Sequence, residues 1–136
     1  MILLDTSGLL AAIDSSQNQH VKAAAALQQA SGPLLLSPFV LAELDYLLAT
    51  RVSAEAQHAL LEEVARGAYR LEPFTADDVA SAVTILSRYR DLHIGLADAS
   101  IVVLAERHRV LEVLTLDHRH FQAIRGPGGR RFRLRP

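Results

Sequence analysis

The chain contains no cysteine. Disulfides, thiolate zinc sites and thiol nucleophiles are therefore excluded together, and the absence fits a reducing compartment. It has no apolar run near the roughly 20 residues that span a bilayer. Met1 to Leu4 meets the Asp5 carboxylate with no basic stretch before it, so no secretory signal is expected. A soluble, cytoplasmic protein with no membrane partner follows as the expectation. Aromatic residues are only 5% of the chain and scattered, which leaves no stacking platform for single-stranded nucleic acid. An excess of charge is missing too: the formal net charge is −1, so nothing global marks a nucleic-acid binder. No Walker-type phosphate loop and no Gly-x-Ser-x-Gly elbow is present, and Ser7 thus lacks the setting of a serine nucleophile.

What is present is apolar. Half of the 136 residues are hydrophobic, enough for one domain over residues 1–136 whose core needs no crosslinks. No repeat, linker or low-complexity segment interrupts it. Ile2-Leu3-Leu4, Leu34-Leu35-Leu36, Tyr69-Arg70-Leu71, Val113 to Leu116 and Phe132-Arg133-Leu134 read as short strands. Helices are expected over Leu9 to Ile13, over 19–30, from Pro38 to about Thr50, and from the Ser53 cap to about Arg66. Further helices are expected from the Thr75 and Asp78 capping pair to about Tyr89, from Gly95 to about His108, and as a turn over His118 to Ala123. Short apolar strands alternating with helices imply an α/β fold: a three-layer α/β/α sandwich around a short, mostly parallel sheet.

The chemistry comes from acids placed where acids are costly. Glu43 shares a helix face with Phe39, Val40, Tyr46 and Leu47, and Asp98 shares one with Ile94, Ile101, Val102 and Ala105. A carboxylate in an apolar stripe costs several kcal/mol unless compensated. An arginine partner at the core edge answers for Glu43 alone, and the helix dipole answers for Asp98 alone. Asp5 and Asp117 each follow a short apolar strand and precede a helical turn. That is a helix-cap position, and it is also where parallel α/β sheets bind ligands. One shared site explains all four acids more economically than four separate structural reasons. Its ligands are hard oxygens, which favour Mg²⁺, with Mn²⁺ possible, over zinc or copper. An ion there activates water and neutralises charge on a phosphoryl oxygen.

These residues resemble a known family. Met1 to Leu10, Ser37 to Leu44, Leu96-Ala97-Asp98-Ala99 and Leu114-Thr115-Leu116-Asp117 are similar, in order and spacing, to the acidic motifs of PIN-domain nucleases. The single-domain length resembles VapC toxins of VapBC toxin–antitoxin pairs. The resemblance implies a Mg²⁺- or Mn²⁺-dependent endoribonuclease acting on structured RNA such as tRNA or rRNA. It also implies neutralisation by a VapB-type antitoxin and a homodimer. By position, Asp5, Glu43, Asp98 and Asp117 match the catalytic acids, with Asp5 and Asp98 as direct metal ligands. Thr6 and Thr115 match supporting hydroxyls, which are equally explained as ordinary cap and strand-end hydrogen bonds.

The alternative is a catalytically silent PIN-like binding module, against which the intact acid set stands. A phosphatase would need an Asp-x-Asp after the first strand, and position 7 is Ser7. His118 and His120 flank Arg119, but two histidines two residues apart diverge on a helix and no third imidazole is nearby, so a zinc site is not expected. Arg119 reads as an RNA phosphate contact or as the partner of an acid. Asp45 and Asp91 are left outside the site. Arg125, Arg130, Arg131, Arg133 and Arg135 form a basic C-terminal stretch, read either as a solvated tail or as a phosphate-attracting edge.

Overall fold

The structure is a computed structural model that describes residues 1–136. In chain order the elements are β1 (Ile2–Leu4), α1 (Thr6–Ile13), α2 (His20–Gln29), β2 (Leu34–Leu36), α3 (Pro38–Arg51), α4 (Ala54–Ala65) and β3 (Arg70–Leu71). There follow α5 (Ala76–Arg88), α6 (Leu96–His108), β4 (Glu112–Leu114), α7 (His118–Ala123) and β5 (Arg133–Arg135). The five strands form one sheet in the order β3-β2-β1-β4-β5, and every pairing is parallel. This meets the expected α/β architecture and sharpens "mostly parallel" to wholly parallel.

The strand sequences explain that layout. Ile2, Leu3, Leu4, Leu35, Leu36, Val113 and Leu114 are all buried, as strands covered on both faces must be. They join a core of 25 buried residues that takes in Leu9, Val40, Leu44, Leu48, Leu60 and the α6 run from Ile101 to Ala105. Burial of such side chains is worth about 1.5–3 kcal/mol each.

The helix starts follow their caps. Ser37 Oγ accepts from Phe39 N–H at the start of α3, with Pro38 in the first helical position. Thr75 and Asp78 form a complete capping box on α5. No helix is long and apolar enough to cross a membrane.

Three strands differ at their boundaries from expectation, β3 beginning at Arg70 rather than Tyr69. β4 ends at Leu114, and Thr115 N–H instead donates to Arg135 O at 2.8 Å. β5 begins at Arg133 rather than Phe132. Phe132 is buried edge-on against Phe121, with ring centroids 5.9 Å apart, so its apolar character serves the packing beside the strand. The basic tail is held in part by this edge: Arg135 lies 3.6 Å from Glu112.

Candidate active site

β1 is central, with β2 on one side and β4 on the other. The chain therefore reverses direction of travel across the sheet at β1, and the crevice at the carboxyl ends of β1 and β4 is the ligand position of such folds. Asp5 directly follows β1, and Asp117 closes the turn after β4.

Asp5 is 5% exposed. It occupies the N-cap position of α1, yet its carboxylate makes no capping hydrogen bond to that helix. It turns instead to hydroxyls: Thr115 Oγ1 donates to Asp5 Oδ2 at 2.7 Å and Ser7 Oγ donates to it at 2.8 Å. Each hydroxyl has one proton, so the 3.3 Å contact between Ser7 and Thr115 holds no hydrogen bond once both face Asp5. Their lone pairs accept from the turn after β4, Ser7 Oγ from Leu116 N–H at 2.9 Å and Thr115 Oγ1 from Asp117 N–H at 2.9 Å. A Cβ on Gly8 would stand 2.4 Å from Leu114 O; the glycine lets α1 sit close enough for Ser7 to reach that turn. Burial pushes the Asp5 carboxyl above the usual carboxylate range, against the two hydroxyl hydrogen bonds, with Asp117 adding repulsion.

Asp98 lies in the first turn of α6. Its carboxyl is pushed up to about 6, first by burial and then by the charges of Asp5 and Asp117, while His120 and the Gly95 backbone pull it back. Ser37 and Ser100, at 2.6 Å, join α3 to α6 beside it. Ser100 Oγ donates to Ala97 O, so the proton between the serines comes from Ser37.

Asp117 caps α7 and lies beside Asp98 and His120. Oδ1 caps α7 by accepting from His120 N–H at 3.1 Å, and Oδ2 lies 2.7 Å from His120 Nδ1. Donor atoms of Asp98, Asp117 and His120 all lie within 4.8 Å of one another.

Glu43 departs from expectation. It is exposed on α3 and outside that convergent group. The buried stripe of α3 is Val40, Leu44 and Leu48, while Tyr46 is 66% exposed. The apolar face assumed for Glu43 leaned on Tyr46 and Leu47, whereas the true stripe repeats every four residues and leaves Glu43 on its flank. His120, set aside in the sequence, faces the acids; His118 and Arg119 are exposed. The signal that identifies His120 is its place three residues after the capping Asp117. Thr6 is buried with its hydroxyl unpartnered.

The PIN domain profile matches residues 2–127 of this chain. The chain belongs to the PIN-domain family. Within that family it is 44% identical over 135 residues to Ribonuclease VapC26 of Mycobacterium tuberculosis, covering 99% of this chain and 100% of that protein. Its fold matches that of Mycobacterium tuberculosis VapC20, described as a sarcin-ricin loop cleaving toxin, with TM-score 0.80 and 23% identity over 86% of this PIN domain and 90% of that chain. VapBC2 from Rickettsia felis, bound to a promoter DNA fragment, superposes with TM-score 0.67 and 20% identity, each chain covered fully at 100%. At those identities the two structures speak for the fold, and the sequence relationship makes this PIN domain a VapC-type member.

Proposed function

We propose that this protein is a divalent-cation-dependent endoribonuclease toxin that cleaves structured RNA, tRNA or rRNA, in the cytoplasm. We further propose that a VapB-type antitoxin neutralises it and that it acts as a homodimer. The observation that carries the catalytic reading is the convergence of Asp98, Asp117 and His120 beyond β1 and β4, with buried Asp5 near enough that its charge helps to raise the Asp98 carboxyl, and burial and the Asp117 charge raising that of Asp5. Such a cluster fits a cation: it supplies oxygen donors and a buried, unpartnered nitrogen on His120, and no lysine or arginine forms an ion pair with Asp5, Asp98 or Asp117.

Asp5 and Asp98 are assigned as ligands of Mg²⁺ or Mn²⁺. A bound ion of this kind supplies an activated water and offsets charge at the scissile phosphate. Asp5 is held in place by Thr115 and Ser7, so its ligand atoms are oriented before any ion arrives. Asp117 acts from the same crevice and fixes the start of α7. Glu43 enters no ion pair in the chain, which leaves its exposed carboxylate free to act on bound substrate.

The test is cleavage of total cellular RNA by purified protein with Mg²⁺, with EDTA, and by Asp98→Asn. Cleavage is expected in the first case and is lost in the other two; equal cleavage in all three defeats the reading. Titration with the product of the adjacent reading frame, expected to abolish cleavage, tests the antitoxin.

A further inference from the structure

A histidine nitrogen stands among the carboxylates of the implied metal site. Asp117 Oδ1 accepts from His120 N–H, and this capping bond folds the third residue of α7 back over the cap. His120 Nδ1 then lies 2.7 Å from Asp117 Oδ2 and 3.9 Å from Asp98 Oδ2. This nitrogen is shielded from water, yet it makes no hydrogen bond of acceptable direction despite the short approach to Asp117. The arrangement thus leaves a buried nitrogen among carboxylates with no hydrogen bond satisfying it.

Spacing makes coordination feasible. Two ligands sharing one small divalent ion at about 2.0–2.2 Å each stand at most about 4.4 Å apart. The donor atoms of Asp98, Asp117 and His120 fall within 4.8 Å of one another, so small side-chain adjustments bring all three onto one ion.

We propose that Asp117 and His120, the latter through Nδ1, join Asp5 and Asp98 as direct ligands of the divalent ion, which makes the site a mixed nitrogen–oxygen site that favours Mn²⁺ over Mg²⁺. This rests on the reading of the acidic cluster as a metal site and adds its ligand set and metal preference. Mg²⁺ binds oxygen and gives up its waters reluctantly, whereas imidazole suits first-row transition ions. Replacing one water or carboxylate oxygen by imidazole thus favours Mn²⁺ without excluding Mg²⁺.

Pulsed electron paramagnetic resonance of the Mn²⁺-loaded protein tests this directly. Modulation from a directly bound nitrogen is expected in the wild type, and it should change when histidine is labelled with the heavier nitrogen isotope. That measurement needs no variant. His120→Gln should lose the modulation and bind Mn²⁺ about tenfold more weakly, the scale at which ligand-shell changes act, while Mg²⁺ affinity by calorimetry changes less than about threefold. His118→Gln, at the exposed neighbour, should match the wild type. Bound Mn²⁺ without nitrogen modulation, or equal losses for both metals in His120→Gln, overturns the assignment of His120 while leaving the acidic site intact. Failure of the wild type to bind Mn²⁺ at all overturns the metal-site reading itself.

Discussion

Replacing Asp98 by asparagine should stabilise the folded protein whenever no divalent ion is present. The folded carboxyl titrates at about 6 rather than 3.8 because burial, Asp5 and Asp117 all disfavour its charge. Each unit corresponds to about 1.4 kcal/mol, so the ionised group costs the fold at most about 3 kcal/mol near neutrality. Its side chain is 19% exposed, and water and salt screen part of this cost, leaving a net gain of about 1–2 kcal/mol for Asp98→Asn.

The sign of the pH dependence follows from the raised value. Below about pH 3.8 the group is protonated in both states and costs nothing. Between about 3.8 and 6 the unfolded chain has released the proton that the folded chain keeps, so wild-type stability falls as pH rises; above about 6 the loss is complete and level. Thermal unfolding in EDTA should therefore show Asp98→Asn near parity with wild type at about pH 4 and ahead of it at about pH 7.5, a lead of roughly 3–8 °C in Tm. Saturating metal should reverse the order, since an ion at about 100 times its Kd adds about 2.7 kcal/mol to the protein that binds it. A variant less stable than wild type in EDTA at neutral pH, or a difference that does not vary with pH, refutes the argument that burial and repulsion at this site outweigh its hydrogen bonds.

Two further substitutions probe how the site is held. Gly8→Ala should lose about 1–3 kcal/mol in urea unfolding, because its Cβ meets the Leu114 and Thr115 backbone at 2.4–2.8 Å; unchanged stability would mean that α1 can withdraw from β4 without cost. Thr115→Val should also cost about 1–3 kcal/mol, since the Asp5 carboxylate loses a donor and Asp117 N–H its acceptor. The Asp5 carboxyl should move further up, and a lowered Asp5 titration, followed by the carboxyl NMR signal, would reverse the role given to that hydroxyl.

Much of the fold was legible because the sequence signals were local. Apolar triplets such as Ile2-Leu3-Leu4 and Leu34-Leu35-Leu36 became the inner strands, and Ser37-Pro38 and Thr75 with Asp78 set helix starts. What was not legible depended on tertiary contacts. Phe132 reads as strand by composition but packs on Phe121 beside the strand. The side-chain period around Glu43 admits two stripes, and only packing against α4, α1 and α6 selects Val40, Leu44 and Leu48. His120 was obscured by the assumption that neighbouring histidines must serve together; its alignment follows from the capping bond of Asp117, a geometry set by three residues rather than by histidine spacing.

An acid following a strand is an ambiguous signal, and Glu72 shows why. It follows β3 directly and is 5% exposed, much like Asp5. Yet Glu72 is compensated within the protein: Arg107 donates to it at 3.3 Å, His108 contacts the same oxygen, and Arg107 also reaches Pro73 O and Asp78. Asp5 receives hydroxyl protons but no cation, and no lysine or arginine pairs with Asp98, whose nearest nitrogen partner is the His120 imidazole 3.9 Å away. Position at the carboxyl end of the sheet is common to both settings. The difference is the missing positive charge. Where the chain provides an arginine, the buried carboxylate is part of the scaffold. Where it leaves several carboxylates together without one, their cost is relieved only by protonation or by a cation from solution, and that deficit is the strongest physical reason to place the metal beyond β1 and β4.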